Sequence, residues 1–331
     1  MRNTIRSAFR AFAFAGLAGT AHAADRPSLL VAEPVHGISY LPLYVAIHKG
    51  YFAEQGIDVK VITIESGSGH TNAVLSGQAF AFIGGPEHDA FAKLKGAELR
   101  AVVNVVDRGN VYFVAPKGKE PTAGESMAQY FKGKTIAPGP FGGTPNSITR
   151  YLLKKYGLDA TSDVKLVETM SSAVGATIKA GQAQIGNVNE PYIARGEREG
   201  LWAEPFLNIP KDLGPYAYST LNVRLDSMQK TPELVQKFVN GVSAGLQFTI
   251  SHPDEALAVA KMEFPTMSEE DLKATIDRTV ADQLWSQDGG ISQKSWQTAQ
   301  SVVREAGILK QDVAYDDIID MRFVNAEKPS K

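Results

Sequence analysis

Two glutamates occupy equivalent places in a chain that writes one pattern twice. SGQAFAFIGGPE (Ser76 to Glu87) ends with Glu87 beside Pro86, and AGQAQIGNVNEP (Ala180 to Pro191) ends with Glu190 beside Pro191. A carboxylate in the first turn of a helix is favoured by the helix dipole, and proline fits the same turn, so both glutamates have a capping role open to them. The other role open to them is contact with an amine or ring N–H of a bound molecule, which would then be zwitterionic or heteroaromatic. Four loops near these acids are rich in Gly, Ser and Thr and poor in charge: His36-Gly-Ile-Ser39, which runs into Tyr40; Ser66-Gly-Ser-Gly-His70, which contains Ser68 and Gly69; Gly139-Pro-Phe-Gly-Gly-Thr144, which contains Phe141, Gly142 and Gly143; and Met170-Ser-Ser-Ala173. Hydroxyls and backbone N–H groups at the positive end of a helix suit the oxygens of a sulfonate, carboxylate or nitrate. Each helix end offers about 0.3 to 1 kcal/mol, so several together would hold an anion without a buried lysine. Capping and turn formation account for the same residues one loop at a time.

His36, His70 and His88 fall in or beside these loops, but their spacing matches no metal-ligand pattern. Hydrogen bonding to a ligand or to backbone is therefore expected of them, with no metal and no cofactor. Tyr40, Phe141, Tyr192, Tyr216 and Tyr218 lie close enough to the loops to stack on a ring or to fill the core. The chain has no G-x-S-x-G elbow, no G-x-x-x-x-G-K-[ST] loop and no G-x-G-x-x-G. Binding is favoured over catalysis, and the chain is read as not an enzyme.

The elements that must carry these loops alternate in type. Strands are expected at 28–32, 59–64, 80–83, 102–106, 111–115 and 135–137, and helices at 40–49, from about 70 to Gly77, at 87–95 and at 145–156. This alternation predicts parallel, doubly wound sheets. The repeat is completed by GIDVKVI (Gly56 to Ile62) against GLDATSDVKLV (Gly157 to Val167), and a unit built twice predicts two facing lobes with a cleft between them. The polar break Asp107-Arg-Gly-Asn110 and the segment Gly214 to Tyr218 are expected to carry the chain across and back. That gives a first lobe of 24–110 and 217–331 and a second of 111–216. Helices expected at 232–250, 253–261, 268–278 and 292–306 form a tail that should pack on the first lobe. In such sheets ligands bind beyond the carboxyl ends of the strands, which is where the four loops fall.

Of 331 residues, 44% are hydrophobic and 21% charged, as in a soluble globular protein with room for two domains. Residues 1–23 differ: Arg2, Arg6 and Arg10 precede an apolar stretch too short to span a membrane, and Ala21-His22-Ala23 offers a small-x-small cleavage site. This reads as a signal peptide. Its removal lowers 34 basic residues to 31 against 36 acids, moving the net charge from −2 to −5 and disfavouring nucleic acid. Cysteine is absent, which excludes disulfides, thiolate metal sites, cysteine nucleophiles and a lipid-anchoring cysteine. A soluble protein of the periplasm is expected.

The run PLYVAIHKGYFAEQGIDV (Pro42 to Val59), with LSGQA (Leu75 to Ala79), FKGKTIA (Phe131 to Ala137) and the Glu190-Pro191 pair, resembles the nitrate, sulfonate, taurine and bicarbonate group of substrate-binding proteins of ABC importers. That group also contains binders of thiamine-precursor pyrimidines and related yeast-type pyrimidine synthases. The resemblance spans nearly the whole chain after residue 23 and implies an α/β periplasmic binding protein of the two-crossover type II fold. Each lobe would be a five-stranded sheet, with the solute trapped at the hinge and the closed monomer presented to a membrane permease and its ATPase. By position it implies ligand loops at His36–Tyr40, Ser66–His70, Gly84–Glu87, Phe141–Thr144 and Asn187–Glu190. The individual candidates are His36, Ser39, Tyr40, Ser68, Gly69, His70, Glu87, Phe141, Gly142, Gly143, Thr144, Asn189, Glu190 and Tyr218. Two departures stand out: Phe80 and Gln184 replace the Asp of a G-x-x-D pattern, and the cysteine-rich motif of the pyrimidine synthases is missing. A sulfonate or carboxylate is the leading solute, with a pyrimidine or other heteroaromatic as the alternative. A pyrimidine-acting enzyme and a sensory module are the other classes.

Overall fold

The computed structural model describes residues 26–325, so the signal-peptide reading of 1–23 lies outside the described residues. Ten strands form two five-stranded sheets. β1 (Ser28–Glu33), β2 (Asp58–Thr63), β3 (Ala81–Gly84), β4 (Leu99–Arg108) and the late strand β10 (Pro215–Arg224) make the first, in the order β2-β1-β3-β10-β4. β5 (Tyr112–Val114), β6 (Thr135–Ala137), β7 (Lys165–Leu166), β8 (Ile185–Val188) and β9 (Leu207–Asn208) make the second, in the order β7-β6-β8-β5-β9. Central strands are apolar on both faces because helices cover both faces: every residue of β3 and of β8 is buried.

The sheets are mixed, where alternation alone predicts parallel ones. β1 runs parallel to β2 and β3, and β6 to β7 and β8, but β10 is antiparallel to β3 and β4, and β5 to β8 and β9. The reason is connectivity. β5 and β10 are the first strands after each crossing, so they start at the hinge and run away from it, while the others end toward it. Both crossings are short: 109–111 separate β4 from β5, and Gly214, at φ +65°, separates the helix Ile209–Leu213 from β10. Asp107 and Arg108 therefore finish β4, and Pro215 to Tyr218 open β10.

The tail packs on the first lobe and divides its remaining contacts with the second. The helix Pro232–Ser251 packs on Leu41–His48, and Gly245 allows the approach, because a Cβ there would lie 2.7 Å from that of Ala46. The helix Glu269–Ala281, opened by the Ser268 hydroxyl accepting from Asp271 N, packs on the helix Pro253–Glu263 and the turn Ile38–Tyr40 and also on Tyr192–Arg198 of the second lobe. Arg198 Nε sits 2.8 Å from both oxygens of Asp271. Asp282 accepts from Tyr112 Oη at 2.8 Å and from Asn208 Nδ2 at 3.1 Å. The helix Gln293–Glu305 packs on both β10 and Thr144–Lys155, with Lys154 Nζ 2.7 Å from Glu305. Charged partners offered by the second lobe explain the division, since burial on the first lobe alone would leave Asp271 and Asp282 unpaired. Among the described residues no helix is long and apolar enough to cross a membrane.

Candidate functional site

A cavity of about 50 Å³ lies between the two sheets, where the strands that run toward the hinge end. The first lobe contributes Ser39 and Tyr40 from the 3-10 turn Ile38–Tyr40, fixed by Trp285 Nε1 donating to the Ser39 carbonyl at 3.0 Å. Ser66 and His70 come from the loop that opens the helix Gly69–Leu75, whose shape is set by Gly69 N donating to Ser66 Oγ at 2.6 Å. Tyr218 and Ser219 project from β10, and Gly85 and His88 follow β3. Asn110 sits in the crossing itself. The second lobe adds Gly143, Thr144 and Pro145 at the start of the helix Thr144–Lys155, Ser171 from the loop after β7, and Asn189 after β8.

Among the described residues no lysine or arginine lines this cavity. The histidines do not replace them. Burial pushes His70 well below its ordinary value, with His88 adding to the effect, and burial pushes His88 down to about 4. Both rings are thus neutral near pH 7, edge to face at 4.7 Å between centroids. His70 Nδ1 and Nε2, and Asn110 Nδ2 and Oδ1, are buried with no hydrogen-bond partner among the described residues. Such groups cost about 1 to 3 kcal/mol each when left unpaired, and here they belong to residues that line the cavity.

Glu87 does not line the cavity but lies behind it. Thr144 Oγ1 donates to Glu87 Oε1 at 2.5 Å, a bond that joins the two lobes. Glu87 is 1% exposed, its Oε2 has no partner, and burial pushes its carboxyl up to about 7, opposed in part by the Thr144 bond. Two other contacts cross the cleft. Ser172 Oγ donates to Glu65 Oε2 at 2.7 Å. Gly67 packs on the backbone at Phe141 so closely that a Cβ would overlap the Phe141 carbonyl oxygen. The lobes are closed on one another.

Of the candidates read from sequence, Ser39, Tyr40, His70, Gly143, Thr144, Asn189 and Tyr218 line the cavity. Ser68, Phe141 and Gly142 lie in an outer groove with Leu75, Leu94 and Ile308, and Phe141 is 61% exposed beneath the Arg150 guanidinium. Gly69 shapes its loop and does not line the cavity. His36 turns away from the cavity: its Nδ1 lies 3.0 Å from Glu33 Oε1 and its ring 4.6 Å from that of Phe264. Glu190 accepts from Ala194 N at 3.2 Å, Thr275 Oγ1 at 3.1 Å and Arg278 Nε at 2.9 Å. It caps its helix and meets a cation, but the cation is the protein's own. Asn110 and Ser219 were not singled out in the sequence. Asn110 had a signal as the one amide in the expected crossing, whereas Ser219 inside an apolar strand had none.

The family model described as NMT1/THI5 like matches residues 38–256, and the chain belongs to that family. It is 25% identical to the putative binding protein YtlA of Bacillus subtilis, covering 90% of this chain and 88% of that one. It is 26% identical to the riboflavin-binding protein RibY of Chloroflexus aurantiacus, covering 89% and 85%. At 26% over 71% and 70%, it also matches 4-amino-5-hydroxymethyl-2-methylpyrimidine phosphate synthase of Candida albicans. The fold matches that of the alkanesulfonate-binding protein of Xanthomonas axonopodis pv. citri bound to MOPS, with a TM-score of 0.72 at 14% identity over 89% of this chain and 98% of that one.

Proposed function

We propose that this chain is the solute-binding component of an ABC importer, exported to the periplasm, which closes around a small solute and delivers it to a membrane permease with its ATPase. The observation that carries the reading is the enclosed cavity into which two lobes bring hydroxyls, an amide and a neutral imidazole with unpartnered polar atoms. Relatives named as binding proteins and the shared fold support it.

For the solute we favour a compact molecule without net negative charge, bearing a donor and an acceptor side by side, as in an N-heterocycle or amide. Asn110 offers both a donor and an acceptor, neutral His70 offers one of each, and Glu87 lies close behind the wall. An aminopyrimidine of the kind in the synthase's name has this chemistry. The closed cavity is smaller than either a pyrimidine ring or the three fused rings of riboflavin, so the lobes must part to admit either. A small organic anion such as a sulfonate or carboxylate is the second reading, favoured by the Thr144 hydroxyl and the N-terminus of the twelve-residue helix Thr144–Lys155 at the cavity wall.

Thermal melting with 4-amino-5-hydroxymethyl-2-methylpyrimidine, riboflavin, taurine, MOPS and nitrate separates these readings. A solute present at 100 times its Kd adds about 2.7 kcal/mol to stability. A shift with the pyrimidine alone is expected. A shift with taurine or MOPS alone installs the anion reading, and no shift with any of the five removes both chemistries. Turnover of the pyrimidine by purified protein would replace the binder by an enzyme.

A further inference from the structure

We propose that Glu87 and Thr144 form a latch between the lobes whose strength depends on a proton, so that closure of the cleft is coupled to protonation of Glu87. The inference rests on the reading of the cleft as one that opens and closes around a solute. Four observations carry it. The bond from Thr144 Oγ1 to Glu87 Oε1, 2.5 Å long, spans the lobes at the cavity wall. Glu87 is buried in the closed form, and its other oxygen has no partner in the protein. Among the described residues, the titratable groups that feel its charge are the phenols of Tyr40, Tyr216 and Tyr218 and the carboxyl of Asp89 from its own helix, none of them a cation. Asp89 has Arg100 to answer it; Glu87 has only a hydroxyl.

The direction follows from the burial. Opening admits water, which outweighs the loss of the Thr144 bond and returns Glu87 toward its ordinary 4.5, whereas closure holds it at about 7. Closing therefore takes up a proton between these values. The closed form gains most at acid pH, loses that gain as pH rises through about 7, and changes no further above it. Glu87 thereby bears on which solutes the cleft retains. A cationic or N–H-bearing solute compensates an ionised Glu87, while an anion closes the cleft only with the proton in place.

The chain contains no cysteine, so a pair introduced across the cleft reports closure cleanly. Glu65→Cys with Ser172→Cys replaces a contact of 2.7 Å, and a short bis-maleimide, to which both thiols add, links the pair only when the lobes meet. The rate of linking is measured on the solute-free full chain between about pH 5.5 and 8 and divided by the rate in the same pair carrying Glu87→Gln, which cancels the titration of the thiols themselves. The ratio is expected to fall on the order of tenfold across this range. A flat ratio overturns the latch and leaves the solute-binding reading standing, since that is tested by the solute panel. Carbon-13 NMR of the Glu87 carboxyl in linked and unlinked protein gives a reading that does not depend on the Gln variant folding. The midpoint is expected to be higher in the linked form, and equal midpoints overturn the proposal.

Discussion

Asn110 has both side-chain polar atoms buried and unpartnered in the protein, at a residue that lines the cavity. A residue kept for stability would not be left so. Asn110→Leu keeps the volume and removes both polar groups, and is expected to stabilise the free protein by about 1 to 3 kcal/mol in urea unfolding while weakening solute binding at least tenfold by calorimetry. A variant that is less stable and binds as before would make Asn110 a structural residue. At this scale the sequence was a partial guide. It found Tyr40, His70, Thr144 and Asn189, because loops rich in hydroxyls at helix starts were the feature it could read. It could not tell Glu87 from Glu190, which share a position in the repeat. One faces Thr144 across the cleft and the other faces Arg278 from the tail, and both partners are set by tertiary contacts far along the chain.

Elements were read more readily than side chains, for a physical reason. Amphipathic helices such as Pro232–Ser251 and Gln293–Glu305 carry a long periodic signal, and their bounds fall within a residue or so of those expected. Strands of two residues, such as β7 and β9, carry almost none, and strand direction is not written in hydropathy at all. The direction of β5 and β10 follows from where the crossings fall, which only the assembled lobes reveal. Loops close to the cleft carry a further constraint that composition hides. SGSGH reads as flexible or as capping, yet Gly67 is needed because the opposing loop arrives at its Cα. Gly67→Ala introduces a methyl group into that contact. The variant is expected to fold with an unchanged melting temperature when solute-free, but to remain extended in small-angle scattering under conditions that compact the wild type. Equal compaction would show that the opposing loops can part enough to admit the methyl group.

For the whole molecule, the tail decides how far the two lobes behave as one cooperative unit. Sheet continuity ends at 109–111 and at Gly214, which alone would leave the lobes free to unfold separately. The tail crosses again: Ser286 N donates to the Val105 carbonyl of β4, while the preceding helix is clipped to the second lobe. Arg278 is the centre of that clip, within 2.9 Å of Glu190, Glu197 and Glu204 and over the ring of Tyr112. Burial pushes Glu190 up, and pushes Glu197 to about 7, while Arg278 opposes the rise in both, so the guanidinium favours their ionised forms. Arg278→Met leaves Glu190 buried without its cation and is expected to cost about 3 to 5 kcal/mol at pH 7.5. The sign of the pH dependence is fixed by the acids. Their folded pKa values, already raised, rise further without Arg278, so the variant is most stable at acid pH and weakens as pH rises through them. Urea unfolding at about pH 5 is therefore expected to recover much of the loss. Calorimetry adds the test of cooperativity: a single transition in the wild type should divide into two in Arg278→Met, the second lobe melting first once the tail no longer holds it. A single transition in both proteins would place the coupling in the crossings and in Lys154–Glu305 instead.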